Sequence, residues 1–176
     1  MTWSRSPDSR LDLIVWIVLA CAIVISLAVI VSVATSPKPQ QLFTEFYILG
    51  PERVAIGYPS HFRVGEENSL IIGVSNREGR PMAYSIEVYL SNRTSDPITN
   101  ETVLREMALI DSWKLSLPDE QRQEERFTFV INDPSYNRFD LLLFNESVPG
   151  TAVVGEDRIR ASYRHLYLWV RVREER

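Results

Sequence analysis

The chain has 176 residues and a formal net charge of −4, from 19 basic and 23 acidic side chains. That balance excludes a basic face broad enough to neutralise a nucleic-acid backbone, so no nucleic-acid partner is expected. The single cysteine, Cys21, excludes an internal disulfide framework and a cysteine-type zinc site.

Residues 13–35, LIVWIVLACAIVISLAVIVSVAT, contain no charge. As a helix rising about 1.5 Å per residue they extend roughly 34 Å, enough for the hydrocarbon layer of a bilayer. In lipid a lone segment must satisfy its own backbone, which leaves helix as its form. The alternative is a cleaved signal peptide, for which VATS offers small residues. The run exceeds the roughly 7–15 residues of a signal core, so an uncleaved transmembrane helix is expected. Residues 1–12 carry Arg5 and Arg10 against Asp8 and Asp12, while Lys38 alone follows the run closely. The positive-inside rule then places residues 1–12 in the cytoplasm and the C-terminal domain outside a cell membrane, as a single-pass protein. Trp3 and Trp16 are candidate interface anchors. Residues 36–41, SPKPQQ, read as a short extended stalk, because Pro37 and Pro39 end the helix.

Residues 42–176 read as one domain with no helical periodicity. FTEFYIL (43–49) is strand-like. Leu70, Ile72 and Val74 recur at period two, as do Met82, Tyr84, Ile86, Val88 and Leu90. Each set predicts a strand with one buried side. NREGRP (76–81) between them supplies turn formers, so the two strands are expected to pair antiparallel. TVLREMALID (102–111) fits a strand or a short helix, and SWKLSL (112–117) alternates again. LPDEQRQEER (117–126) reads as a solvated loop. FTFVI (127–131), FDLLLF (139–144) and YRHLYLWVRV (163–172) complete the set. The expected fold class is all-β: an immunoglobulin-like β-sandwich of about seven strands behind one transmembrane α-helix. The cysteine and tryptophan landmarks of true immunoglobulin domains are missing.

Several blocks in order carry a resemblance: TEFYILGP, GYP, VGE, GVSN, IEVYL, FDLLLF and LYLWV. Together they resemble the C-terminal part of the domain-of-unknown-function family numbered sixteen-sixteen, predicted membrane proteins of archaea and some bacteria. The resemblance implies a membrane-attached, outward-facing β domain and no catalytic residues. Family members often carry several membrane helices before this domain, whereas one precedes it here.

Asn92, Asn100 and Asn145 each begin an Asn-x-Ser/Thr sequon. Seven asparagines, each meeting a 25-in-176 chance of Ser or Thr two residues on, give about one by chance. Their alternative role is ordinary turn chemistry. In the last strand Tyr163, His165, Tyr167, Trp169 and Arg171 share the face opposite Leu166, Leu168, Val170 and Val172. Aromatics with Arg suit an interaction patch, but the preferred reading is a central strand whose second face is covered by a loop. His61 and His165 are the only histidines, with no metal-ligand spacing, so no metal is expected. No cofactor and no catalytic residues are expected either, since neither G-x-S-x-G nor a P-loop occurs. The adjacent acids Glu66-Glu67, Asp119-Glu120, Glu124-Glu125 and Glu174-Glu175 read as solvated pairs, not a glycosidase dyad. The function expected is structural or interaction work outside the membrane, as an accessory subunit of a membrane or envelope assembly. The partners are then the lipid bilayer and other membrane or envelope proteins. The alternative is carbohydrate binding or surface glycan assembly, with Tyr89, Tyr167 and Trp169 stacking on glycan. An envelope hydrolase is the third reading.

Overall fold

In a computed structural model, which describes residues 9–35, 42–55, 58, 60–99 and 101–174, the apolar run is one helix, α1 (Ser9–Thr35). Its side chains from Asp12 onward are exposed. Ser26 Oγ donates to Ala22 O and Thr35 Oγ1 to Val31 O, both at 2.8 Å, so these hydroxyls are satisfied within the helix. By length and composition α1 is able to cross a membrane, a property it shares with a signal sequence. The residues divide into two compact units, Met1–Gln40 and Gln41–Arg176. The expected stalk, 36–41, lies outside the described residues, as do Trp3, Arg5 and Asp8.

The second unit holds β1 (Phe43–Leu49), β2 (His61–Arg63), β3 (Glu67–Arg77), β4 (Met82–Ser95), β5 (Thr102–Leu117), β6 (Arg122–Val130), β7 (Arg138–Asn145), α2 (Gly155–Ala161), β8 (Arg164–Trp169) and β9 (Arg171–Arg173). One sheet runs β1-β3-β6 and the other β5-β4-β7-β8, while β2 and β9 form a small parallel pair. Seven longer strands in two sheets make the immunoglobulin-like sandwich expected from the alternation. Its core is the inward row Met82, Tyr84, Ile86, Val88 and Leu90 against Leu70, Ile72 and Val74. At the centre Phe129 meets Phe139 edge-on at 4.6 Å and Phe127 in a stack at 5.4 Å. Edge-on and stacked pairs of this kind add to the stabilisation from area burial alone.

Four expectations are corrected and one open choice is decided. The strands flanking NREGRP do not pair: β3 and β4 lie in opposite sheets. The segment is a crossover, pinned by the fully buried Asn76. Asn76 Nδ2 donates to Arg80 O (2.8 Å), Leu117 O (2.9 Å) and Pro118 O (3.1 Å). It thereby laces the β3–β4 crossover to the β5–β6 one. Gly79, at φ 71, donates its N–H to Asp119 of that second crossover. Second, of the two readings of 102–111 the strand holds, because β5 runs unbroken beside β4 with register shifts at Val88/Tyr89 and Asn92/Arg93. Third, the charged segment 117–126 is only partly loop, since β6 begins at Arg122.

Fourth, a helix exists beyond α1. Seven-residue α2 has no side-chain N-cap bond and is too short to stand alone. It is held by Arg158, whose Nε and Nη2 grip Glu87 at 2.7 and 2.6 Å, and by Ile159, packed with Tyr89, Leu142, Phe144 and Met107. This second cluster explains why FDLLLF alternates poorly: β7 is buried on both faces. Fifth, 163–172 is two strands. The chain leaves β7 after Trp169 and pairs with β2 from Arg171, with Val170 buried between.

Candidate functional site

The outer face of β4, β7 and β8 carries polar side chains in register. Ser91 and Arg93 come from β4, Arg138 and Asp140 from β7, and His165, Tyr167 and Trp169 from β8. Strand alternation places them on the side away from the Leu90, Phe139, Leu141 and Leu168 row. Asp140 is the hub and is fully buried, at 0 % exposure. Its Oδ2 accepts from Ser91 Oγ and from Arg138 Nε (3.1 Å). Its Oδ1 binds Arg138 Nη2 and lies 2.7 Å from His165 Nε2. Burial pushes the Asp140 carboxyl up, but the hydrogen bonds from His165, Arg138 and Ser91 and the Arg138 charge outweigh it. They hold Asp140 below the usual carboxylate range.

Arg93 lies beside this hub, with Nη1 2.7 Å from Glu156 of α2. Among the described residues its buried Nε has no hydrogen-bond partner, and it sits 4.0 Å from Asp140 Oδ2. Arg138 is covered by aromatic rings: its guanidinium carbon lies 4.9 Å from the Tyr167 ring centre and 5.5 Å from that of Trp169. Such cation–π contacts fix ring orientation. Tyr167 and Trp169 remain 56 % and 46 % exposed. Two large rings are therefore held in place from beneath by a desolvated cation and left open to solvent above.

Not every expected member of this face joins it. Tyr163 precedes β8, packs against the main core and donates its hydroxyl to Glu78 at 2.7 Å. Arg171 is exposed in β9, past the strand break. It lines an open cleft of about 590 Å³ with Ser60, His61, Asn137, Trp169 and Val170. Tyr89 is unavailable for stacking, because it is buried and donates to Glu87 at 2.8 Å. Burial first, then that bond, push the Tyr89 hydroxyl up to about 12. Among the sequons, Asn92 sits half-buried within β4 instead of in a turn, Asn145 closes β7 before exposed Glu146, and Asn100 lies outside the described residues.

Ser91, Asp140 and His165 are the residue types of a hydrolase relay, but the connectivity differs. Serine and histidine bind different oxygens of the same carboxylate, and Ser91 is fully buried. A relay needs the histidine on the serine hydroxyl and the hydroxyl open to substrate. Among the described residues no three His, Cys, Asp or Glu side chains are grouped to hold a metal ion. Asp140, Arg138 and Arg93 were missed by the sequence reading. The available signal was one acid inside an otherwise apolar strand, flanked by Arg138, since a charge buried there must be paired.

The fold and site define a β-sandwich domain behind an apolar N-terminal helix, an arrangement that fits a membrane-anchored structural domain. The chain belongs to the family described as Domain of unknown function (DUF1616), whose model matches residues 37–171. No curated protein matches it significantly. Among solved structures it is similar to the CARDB domain of a Pyrococcus furiosus protein in complex with di-metal ions, at 12 % identity and TM-score 0.46, covering 79 % of this chain and 100 % of that one. It is also similar to a β-glucosidase from Listeria innocua (12 % identity, TM-score 0.45, 77 % of this chain and 16 % of the enzyme). A third is the sporulation control protein Spo0M of Bacillus subtilis (9 % identity, TM-score 0.41, 73 % and 49 %).

Proposed function

We propose that this protein is a single-pass, membrane-anchored interaction module. Its sandwich works on the outer side of a cell membrane as an accessory component of a membrane or envelope assembly. The observation that carries this reading is the exposed pair Tyr167 and Trp169, each seated on buried Arg138. Rings held in one orientation lose little freedom on binding, which favours their use as interface anchors. Arg5 and Arg10 before the apolar run 13–35, against Lys38 after it, support the outward placement of the domain. Of the described sequons Asn145 is the better placed acceptor, at a strand end before exposed residues.

The test is purification of the full-length protein in mild detergent. A stoichiometric partner is expected with the native chain and is lost in Tyr167→Ser/Trp169→Ser, while the melting temperature stays put. Retention of the partner by that variant removes the face from the docking role. Loss of folding instead makes the two rings core residues.

A second reading, glycan binding, is favoured by the open cleft beside Trp169, where an exposed indole adjoins Asn137, Ser60 and His61. Aromatic faces with a few polar groups are the means by which concave sites orient small polar ligands.

A further inference from the structure

The parallel pairing of β2 with β9 sets His61 opposite Arg171 and Arg63 opposite Arg173. Phe62 and Val172, the intervening partners, point to the core, so the four basic side chains share the outward face and all are exposed. Neighbouring strands lie about 4.8 Å apart and alternate residues about 6.6 Å apart, so the side chains spring from the corners of a small rectangle. None of the three arginines makes an ion pair with a described residue, although Glu66 and Glu174 flank the ladder in sequence. Elsewhere in this domain Arg77 pairs with Glu45, Arg80 with Glu146, Arg93 with Glu156 and Arg158 with Glu87, whereas Arg105, Arg122, Arg126 and Arg164 likewise form no ion pair with a described residue.

Like charges directly opposite one another destabilise a sheet. On a chain of net charge −4, acidic side chains were available for these positions. The exposed Arg63–Arg173 pair therefore gains from an external anion. The ladder is continuous with the cleft beneath Trp169, because His61 and Arg171 belong to both. A ring-stacking surface and a row of unpaired guanidiniums meet at one edge of the domain. A flat layer of phospholipid headgroups would meet the cations at the rim but leave the cleft lined by Trp169, Asn137 and Ser60 unfilled. A sugar bearing a carboxylate or phosphate uses both, with its ring on Trp169 and its acid on the bidentate arginine forks.

We infer that the β2–β9 edge is a binding site for an acidic polysaccharide, with Trp169 taking a sugar ring and Arg63, Arg171 and Arg173 its acidic groups. This deepens the glycan reading above and rests on it.

The experiment uses the full-length protein in phosphatidylcholine nanodiscs, titrated calorimetrically with polygalacturonate oligomers and, separately, with neutral dextran oligomers. The acidic oligomer is expected to bind at least about tenfold more tightly, the equivalent of one good charge-assisted contact. Arg63→Gln/Arg173→Gln and high salt each remove that advantage, whereas Trp169→Ser weakens binding of both oligomers. Equal affinity for acidic and neutral oligomers, or a ladder variant without effect, overturns this inference and leaves the glycan reading standing. Absence of binding to either oligomer overturns both. Ladder-dependent binding to phosphatidylglycerol vesicles without binding to oligomers assigns the edge to lipid and also overturns the inference.

Discussion

Replacing Asp140 by Asn tests the polar hub most directly. The change keeps the shape and removes one charge. Arg138, 7 % exposed, then retains only aromatic contacts and whatever one amide oxygen can accept, and Arg93 loses its second acid. Stripping one partner from a buried ion pair costs about 3–5 kcal/mol, and the surviving amide bond argues for the lower end. An unfolding entropy of about 2.1 cal/mol/K per residue over roughly 135 residues gives a melting shift near 11 °C for ~3 kcal/mol. Thermal unfolding of the full-length protein in detergent, followed by circular dichroism and tryptophan fluorescence, reads this directly. Adding Arg138→Met to Asp140→Asn removes the stranded cation and should recover most of the loss. A single-variant shift below about 3 °C, under 1 kcal/mol on the same entropy, refutes the hub as a source of stability.

Other consequences are equally accessible. Gly73 faces Tyr47 across the β1–β3 pair with the phenol ring lying over it, so a Cβ there collides with that ring. Gly73→Ala should cost about 1–3 kcal/mol in chemical denaturation, by overpacking and loss of the Tyr47–Glu124 bond. The folded-state values of Asp140, Glu87 and Glu78 are all lowered. Their stabilisation is complete above the ordinary carboxylate range, near pH 4, and is lost as pH falls through the depressed values. Denaturation midpoints measured down to pH 3 should fall steeply, and a flat profile contradicts the pairing. Tyr89, raised to about 12, gives the opposite limb, with stability declining as pH climbs from about 10 toward that value. Arg158→Lys keeps a charge but not the two-pronged grip on Glu87, so hydrogen exchange in α2 should quicken while the sheets stay protected.

Strands were legible where one face meets the core and the other meets water. FTFVI and SWKLSL could be read that way, with Phe127, Phe129 and Leu117 buried and Thr128, Val130 and Ser116 exposed. Sheet membership was not, because period two is the same whether the next strand pairs alongside or crosses over. The deciding residue, Asn76, looks like any turn asparagine until its three acceptors are seen. Helix α2 left no trace because its hold lies in Arg158 and Glu87, 71 positions apart. The exposed rings Tyr167 and Trp169 were visible as a pattern, but their support was not. Arg138 and Asp140 are adjacent in register to β8 only once β7 is paired with it. Tyr163 was assigned to the wrong face for a local reason: it precedes β8, where strict alternation no longer governs direction.

The long edge strand β5 has one further implication. It ends the sheet, keeps Val103, Leu109 and Ile110 exposed, and is offset from its neighbour by two register shifts. Such irregularities, with Arg105, Asp111 and Lys114 along the strand, frustrate pairing with a foreign strand. For a membrane-anchored module of the kind proposed, that protection matters more than for a free domain. Copies confined to a surface collide in two dimensions at high local concentration, so an ironed-out β5 would become a seed for lateral polymerisation.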